Sequence, residues 1–320
     1  MNREDVIIIG AGPCGLSAAI ACQNKGLNTL VIEKENVVHS IYRYPTHQTF
    51  FSTSEKLEIG DVAFLTEERK PRRNQALVYY RDVVKRKEIR INKYERVLKV
   101  KKKGGLFNIS TSKGCYESTF VIVATGYYDS PNMLNIPGEN LSHVHHYFKE
   151  AHPYFDMDVV VIGGKNSAVD ASLELQKAGA RVTNLYRGND YSTSVKPWIL
   201  PEFDSLVRNN SIQMEFNTEV TEITNSSVIY KKEGTSQEVK ADVVFAMTGY
   251  HPDHSFIKAM GVKVDVETGR PNFDPVTMET NVNGLYIAGV IAAGNNANEI
   301  FIENGRFHGE VIANHIISYS

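Results

Sequence analysis

Two glycine-rich turns predict an α/β protein made of two Rossmann-like three-layer domains. The first turn, GAGPCG at 10–15, follows the apolar run 6–9, and the second, GGKNSA at 163–168, follows the apolar run 159–162. A stretch rich in small residues and typical of a helix follows each turn. A buried strand that enters a helix through such a turn is typical of dinucleotide-binding units, so the chain repeats this unit at domain scale.

The first unit carries the complete glycine pattern. Gly10 allows the tight turn, Gly12 lets the backbone approach a pyrophosphate, and Gly15 lets helix and strand pack closely. A second apolar strand at 28–32 leads to Glu33, about 20 residues beyond the glycines, where a carboxylate binds a ribose hydroxyl. The sequence therefore predicts a dinucleotide site whose phosphates face the backbone amides at the helix start.

The second unit departs from this pattern at two positions. Lys165 stands where the middle glycine falls, and Ala168 supplies the last small residue. Arg187, rather than an acid, follows the strand predicted at 181–186. An acid at this point accepts the 2′-hydroxyl of NAD, whereas arginine suits the 2′-phosphate of NADP, so the charge pattern favours NADPH. An exposed surface charge is the alternative interpretation of Arg187.

Composition narrows the class of protein. The chain has 320 residues, 42% of them hydrophobic and 22% charged, and a net charge of −2, as expected of a soluble protein with two domains. Neither nucleic acid nor a membrane is an expected partner, because there is no strong charge excess and no apolar run of about 20 residues. The odd number of cysteines, without a C-x-x-C pair or a metal-ligating spacing, predicts a reducing cytoplasm and no metal site.

The remaining elements are predicted from periodicity and turn residues. The aromatic and polar stretch 36–61 is expected to hold a flavin ring or a substrate, or to be a surface loop pinned by its aromatics. The basic segment 85–103 is interpreted as a helix end and a hairpin rather than a polyanion site. Helices are predicted at 76–86, 169–177 and 300–317, and further strands at 89–91, 96–102, 106–110, 118–123, 212–216, 219–224, 227–231, 239–247 and 284–289.

Five motifs, taken in order, resemble those of the two-dinucleotide-binding-domain flavoproteins, which include low-molecular-weight thioredoxin reductases and flavin monooxygenases. The motifs are GAGPCG with Glu33, ATG at 124–126, GGKNSA at 163–168, TGYHPD at 248–253 and GLYIAG at 284–289. The resemblance implies an FAD-binding domain formed by 1–150 and 251–320, an NADPH-binding domain at 151–250, and a homo-oligomer.

The same resemblance assigns residues to the two cofactors. Val290 stands where the family has an aspartate that contacts the flavin ribityl chain, a departure that affects one expected contact. The residues expected at FAD are Gly10, Gly12, Pro13, Gly15, Glu33, Lys34, Thr125, Gly126 and Gly289, and those expected at NADPH are Gly163, Gly164, Asn166, Ser167, Ala168 and Arg187.

Within this class the chain is similar to the bacillithiol disulfide reductases, because GPCGL at 12–16 is paired with FFSTSEKLEIGD at 50–61. It lacks the C-x-x-C of thioredoxin reductase in the segment 157–247, and it lacks the monooxygenase signature before the second turn. The resemblance implies reduction of a small thiol disulfide by NADPH through FAD, with Cys14 as the single catalytic cysteine. For Cys14, the helix N-terminus favours the thiolate and a nearby pyrophosphate opposes it.

Alternatives remain open at this point. Cys14 also fits the turn as a small apolar filler, as it would in a ferredoxin or quinone reductase, a monooxygenase-like enzyme or a flavin-binding redox sensor. Cys22 is interpreted as core packing and Cys115 as structural or incidental. No spacing singles out a proton donor among the candidates His47, His251, His308 and Tyr128, or a substrate-binding cation among Arg43, Lys56 and Arg306.

Overall fold

The chain folds into two compact units. The structure, a computed structural model, describes residues 2–296 and 298–319. The first unit combines the chain up to Ser130 with the chain from Tyr250, and the second is Pro131–Gly249. The interrupted first unit and the continuous second unit correspond to an inserted domain.

The elements in chain order are as follows. The strands are β1 (Asn2–Ile9), β2 (Thr29–Ile32), β3 (Ile91–Asn92), β4 (Val97–Lys103), β5 (Leu106–Thr111), β6 (Cys115–Val123), β7 (Val144–His145), β8 (Asp158–Ile162), β9 (Arg181–Leu185), β10 (Ile212–Glu215), β11 (Thr218–Ile223), β12 (Ser227–Lys232), β13 (Thr235–Lys240), β14 (Val243–Ala246) and β15 (Leu285–Ile287). The helices are α1 (Pro13–Asn24), α2 (His39–Arg43), α3 (Ser54–Leu57), α4 (Arg73–Arg86), α5 (Asn166–Lys177), α6 (Leu200–Arg208), α7 (His254–Ala259), α8 (Ile302–Gly305) and α9 (His308–Ile317).

The first unit is built on a seven-stranded sheet in which β1 lies centrally. The order is β3-β2-β1-β6-β5-β4, and β15 also pairs with β6. Strands β2, β1, β6 and β15 are parallel, so the loops that follow them emerge at one edge of the sheet. Ile7 is fully buried and lies between Leu30 and Val121 on the neighbouring strands. This register brings the end of β1, and therefore the first turn, beside Ala124 at the end of β6.

The basic segment forms the predicted helix end and hairpin. Gly104 and Gly105 both have positive φ, 60° and 85°, and they make the turn between β4 and β5. Strand β4 lies at the edge of the sheet, and its lysines at 99, 101, 102 and 103 are exposed. Lysines on an edge strand discourage pairing with another chain, which gives this charge a structural role.

The second unit has three layers. Its parallel sheet has the order β10-β9-β8-β14-β7, and β11, β12 and β13 form a separate antiparallel sheet. Along β8, Val159 and Val161 pack into a core with Phe203 of α6, while Val160 faces a second core with Val228 of β12. The alternation of a strand thus buries both faces, one under helices and one under the small sheet. The predicted α/β class with Rossmann-like three-layer organisation is confirmed.

Several boundaries differ from the predictions. Residues 131–150 belong to the second unit, because β7 extends its sheet by pairing with β14. The predicted strand at 239–247 is two strands, β13 and β14, which pair in different sheets. The predicted helix at 300–317 is interrupted, so α8 is a single turn that ends at Gly305 before α9 begins. The stretch 36–61 contains the short helices α2 and α3.

Candidate functional site

The first turn combines close packing with open space. Gly10 has φ +109°, and a Cβ built on it would lie 2.5 Å from the Ala124 carbonyl oxygen. A Cβ on Gly15 would lie 2.1 Å from the Gly10 carbonyl oxygen, so α1 presses directly on the turn. A Cβ on Gly12 would meet nothing within 4 Å. Gly12 is thus not required by packing, and the space above it at the start of α1 fits an approaching pyrophosphate.

Glu33 is fixed beside this turn by backbone donors. Its side chain is buried at the end of β2, and the N–H groups of Ala11 and Glu35 donate to its two oxygens at 2.8 and 2.9 Å. A carboxylate oxygen has room for a second donor, so the arrangement still fits a ribose hydroxyl. Lys34, the next residue, forms an ion pair with Asp129 at 2.8 Å.

Other residues expected at FAD lie at the same sheet edge. Pro13 occupies the first position of α1, where its missing N–H costs no hydrogen bond. Thr125 and Gly126 follow β6, and Gly126 has φ +69°. Gly289 follows β15, which pairs with β6, and has φ +80°.

Cys14 lies in a slot formed by two glycines. Ideal Cβ atoms on Gly289 and Gly305 would lie 3.1 and 2.9 Å from the Cys14 Sγ. Any side chain at either position would therefore press on the sulfur. Gly309, one turn further on, lets α9 approach Ala18 of α1, with an ideal Cβ only 2.4 Å from the Ala18 Cα. The C-terminal segment thus closes directly over the helix that carries the thiol.

Sequence reasoning missed Gly305 and Gly309. The spacing Gly305-x-x-x-Gly309 on a predicted helix was the available signal, since residues four apart share one face. This spacing becomes informative only when the element that packs against that helix face is known, and the sequence does not identify α1 as that element.

The surroundings of Cys14 favour the neutral thiol. Burial and, to a smaller extent, the carboxylate of Glu303 together raise the pKa of the Cys14 thiol to about 12. Glu303, in α8, accepts a hydrogen bond from the Ser52 hydroxyl. Burial also raises the pKa of Tyr44, and the negative charges of Glu303 and of ionised Cys14 raise it further in the same direction. Without a bound ligand, the helix N-terminus does not outweigh the loss of solvation, and the thiol is protonated at neutral pH.

His308 has a defined role among the predicted proton donors. The Gly289 N–H donates to its Nδ1 at 3.2 Å, so Nδ1 is the unprotonated nitrogen of a neutral ring. Burial lowers the pKa of His308, which also favours this neutral form. His308 therefore fixes the turn at Gly289 that forms one wall of the Cys14 slot.

The other predicted proton donors lie in different surroundings. Tyr128 belongs to an aromatic cluster, with ring centroids 5.1 Å from Tyr44 and 4.5 Å from Tyr250. His47 lines a polar surface cavity that contains none of the predicted cofactor residues. The His251 ring lies against the Pro252 carbonyl at 2.8 Å.

The predicted substrate-binding cations are largely engaged within the first unit. Arg43 shares Asp129 with Lys34, at a distance of 3.0 Å. Arg306 donates to the carbonyls of Glu55 and Glu58 at 3.0 and 2.6 Å, which ties α3 to the segment between α8 and α9. Lys56 is exposed on α3.

The second turn has a different environment. Gly163 has φ +140°, and its ideal Cβ would lie 2.4 Å from the Met247 carbonyl oxygen and 3.2 Å from the Ala168 Cβ. The ring of Tyr186 lies over Gly164, with its Cδ2 2.4 Å from an ideal Cβ. The second turn is therefore packed against an aromatic ring at Gly164, the position that Ala11 holds in the first turn.

The polar residues of this turn lie at the start of α5. Lys165 and Ser167 are exposed, and Arg187 is exposed just beyond β9. The Asn166 side chain is bonded to the protein backbone, donating to the Ser194 carbonyl and accepting the Lys196 N–H. Among residues 2–296 and 298–319 there is no group of three or more ligating side chains that could hold a metal ion.

The fold and the two turns define a protein with two dinucleotide-binding units. The chain belongs to the pyridine nucleotide-disulphide oxidoreductase family, whose model matches residues 7–289. It is therefore an oxidoreductase of a class that uses a flavin and a pyridine nucleotide.

Individual relatives are similar over the whole chain. Bacilliredoxin reductase Bdr of Bacillus subtilis (strain 168) is 66% identical over 315 residues, which cover 98% of this chain and 97% of the relative. The structure of bacillithiol disulfide reductase Bdr from Bacillus cereus is 64% identical, with a TM-score of 0.98 and full coverage of both chains. Thioredoxin reductase of T. acidophilum, 24% identical with a TM-score of 0.80 over 100% of this chain and 99% of its own, shares the fold. Within the described part of the chain no helix has the length and apolarity to cross a membrane.

Proposed function

We propose that this protein reduces the disulfide of a low-molecular-weight thiol, specifically bacillithiol disulfide, with electrons from NADPH passed through FAD. The observation that carries the proposal is the Cys14 thiol enclosed between Gly289 and Gly305, beside the open phosphate turn of the first unit. The names of the two Bdr relatives support the substrate. The absence of a C-x-x-C pair from the sequence leaves a single cysteine in this setting.

The two units receive different cofactors in this proposal. FAD binds the first unit, because Gly12 leaves open space at the start of α1. The residues proposed to hold it are Gly10, Gly12, Pro13, Gly15, Glu33, Lys34, Thr125, Gly126 and Gly289. NADPH binds the second unit, because exposed cations at Lys165 and Arg187 suit a 2′-phosphate.

Cys14 supplies the nucleophile. Its Sγ attacks one sulfur of the disulfide, the S–S bond breaks, and the other sulfur leaves as a thiolate that takes up a proton. Because the half-buried thiol is protonated at neutral pH, its proton must first be given up to a base. This leaves a mixed disulfide between Cys14 and the other half of the substrate. A flavin reduced by NADPH would supply the two electrons that, together with two protons, convert the mixed disulfide to the Cys14 thiol and a second small thiol.

Cys14→Ala is the direct test, with Cys115→Ala as the matched control because Cys115 is exposed on β6. We expect the Cys14 variant to keep its yellow flavin and to lose NADPH oxidation stimulated by bacillithiol disulfide, to the unstimulated background. The Cys115 variant should keep wild-type rates. Full turnover by Cys14→Ala would contradict the single-cysteine mechanism.

A second function is favoured by one observation. A thiol whose pKa is about 12 is a poor nucleophile, and a neutral cysteine side chain packs as a small apolar group. Both properties are expected of a ferredoxin- or quinone-type reductase in which Cys14 has a packing role and no catalytic role. In that case the Cys14→Ala variant should catalyse the reduction of quinones and one-electron acceptors as fast as the wild type. Neither protein should then respond to bacillithiol disulfide.

We further propose that the protein works in the cytoplasm as a homo-oligomer. The three cysteines are free in the structure, as expected in a reducing compartment. Closed symmetric assemblies are common for enzymes of this architecture. Sedimentation of the flavin-loaded protein tests the assembly, and a monomer at working concentrations would contradict it.

A further inference from the structure

A segment between β9 and α6 is held onto the second glycine-rich turn by one side chain. Asn166 is the first residue of α5, and both ends of its amide are engaged. Its Nδ2 donates to the Ser194 carbonyl at 2.8 Å, and its Oδ1 accepts the Lys196 N–H at 2.9 Å. Val195, between these two, is buried. The backbone at Lys196 is therefore fixed against the start of α5.

This clamp brings Lys196 to the sheet edge where two other cations emerge. Strands β8 and β9 are adjacent and parallel, with Ile162 opposite Leu185, so the segments that follow them leave the sheet side by side. Lys165 follows β8 and Arg187 follows β9. The hydrogen bond to Asn166 holds the backbone of Lys196 at the start of α5, so a third cationic residue belongs to a segment at this edge.

Three cationic residues on segments beside the start of one helix favour an anion with more than one charged group. The backbone amides there account for a pyrophosphate, which every dinucleotide carries. A further phosphate on the ribose requires further cations, because a charge-assisted contact with a phosphate is among the strongest hydrogen bonds. Arg187 supplies one of them in the proposed function, and the clamped segment offers another.

We propose that Lys196 is a specificity-determining residue that contacts the 2′-phosphate of NADPH, and that Asn166 is the residue that positions it. This inference rests on the NADPH site of the proposed function. Asn166 then acts through the segment that it clamps rather than by contact with the nucleotide, because both ends of its amide are bonded to the backbone.

The chain carries a built-in reporter for this proposal. Trp198 is the only tryptophan in the sequence, it is 58% exposed, and its ring centroid lies 6.0 Å from the Lys196 Nζ. An anion that draws the Lys196 ammonium toward itself changes the surroundings of this ring. Tryptophan fluorescence therefore reports occupancy of the site without any turnover.

The experiment titrates the flavin-loaded protein with 2′,5′-ADP and with 5′-AMP, and it follows Trp198 fluorescence, with calorimetry as a second readout. Lys196→Met should weaken 2′,5′-ADP binding about tenfold and change 5′-AMP binding less than about twofold, since only the former carries the extra phosphate. Lys196→Arg should keep the preference. Lys231→Met is the matched control, because Lys231 is exposed on β12 and the same charge is lost there.

Asn166→Ala tests the positioning role. It should reduce the preference for 2′,5′-ADP to the level of Lys196→Met, and the double variant should lose nothing further, because both changes remove one contact. Asn166→Ala that weakens both ligands equally, with a separate additional loss from Lys196→Met, would show direct contact by Asn166 and overturn this role.

Failure of the inference differs from failure of the proposed function. If wild type binds 2′,5′-ADP no better than 5′-AMP, the NADPH assignment itself is wrong. If wild type prefers 2′,5′-ADP, Arg187→Met abolishes that preference and Lys196→Met retains it, the NADPH assignment stands and the role of Lys196 is overturned.

Discussion

The two glycine-rich turns follow the same path from strand to helix and differ in what surrounds them. In the first, the position of a Gly12 Cβ is open, and a thiol lies enclosed beside the turn. In the second, the ring of Tyr186 covers Gly164, and an exposed lysine replaces the middle glycine. The shared path suits the phosphate binding that any dinucleotide needs. The surroundings differ because one turn is proposed to carry the chemistry and the other to select the nucleotide.

The largest expected effect concerns the reactivity of the Cys14 thiol, compared with that of a thiol at a solvent-exposed helix N-terminus. With a pKa of about 12 against an ordinary value of 9.0, the thiolate fraction at pH 8 falls about thousandfold. Flavin-free protein with Cys22→Ala and Cys115→Ala should react with iodoacetamide at a rate that still rises with pH beyond 10. A rate that levels off near pH 8 would show that the helix N-terminus dominates after all.

The same shift has a consequence for stability. A folded-state pKa above the unfolded value stabilises the fold below pH 9, and this contribution is lost as the pH rises toward 12. Stability of the flavin-free protein should therefore fall between these values, and less so in Cys14→Ala. Urea unfolding at several pH values measures the difference.

Gly10 and Gly12 separate packing from binding within the first turn. Gly10→Ala should cost about 3 kcal/mol or more, because φ is +109° and the new Cβ meets the Ala124 carbonyl. Gly12→Ala should unfold almost like the wild type and retain less flavin, because its Cβ projects into open space. Urea unfolding and the flavin absorbance of the purified variants test the pair. Equal losses of stability in the two variants would contradict the interpretation that the space next to Gly12 is open.

The sequence predicts these turns well because their glycines are required by the local backbone conformation and by contacts between residues close together in the chain. Gly10 requires a positive φ, and Gly15 requires contact with the turn just before it in the chain. The slot around Cys14 is different, since Gly289 and Gly305 lie far along the chain and gain meaning only when the C-terminal segment packs on α1. For the same reason the hydrogen bond from Gly289 to His308 was not predictable, although His308 was a named candidate.

The pKa of Cys14 shows a further limit. From sequence, the helix N-terminus and a pyrophosphate oppose each other and their net sign is open. Burial by distant residues and the charge of Glu303 determine the result in the structure, and neither follows from the turn motif. The break between α8 and α9, which the periodicity at 300–317 does not reveal, separates the helix that holds Glu303 from the one that begins with His308.

Gly164→Ala is expected to destabilise the fold less than Gly10→Ala and more than Gly12→Ala. Its φ is ordinary, and the three atoms nearest to an ideal Cβ all belong to the Tyr186 ring, the closest at 2.4 Å. Gly164→Ala should cost about 2 kcal/mol, where Gly12→Ala costs almost nothing. In a Tyr186→Ala background the same change should cost less than about 0.5 kcal/mol, because the ring is gone. A double-mutant cycle by urea unfolding measures this coupling, and equal costs in both backgrounds would mean that the backbone, not the ring, requires this glycine.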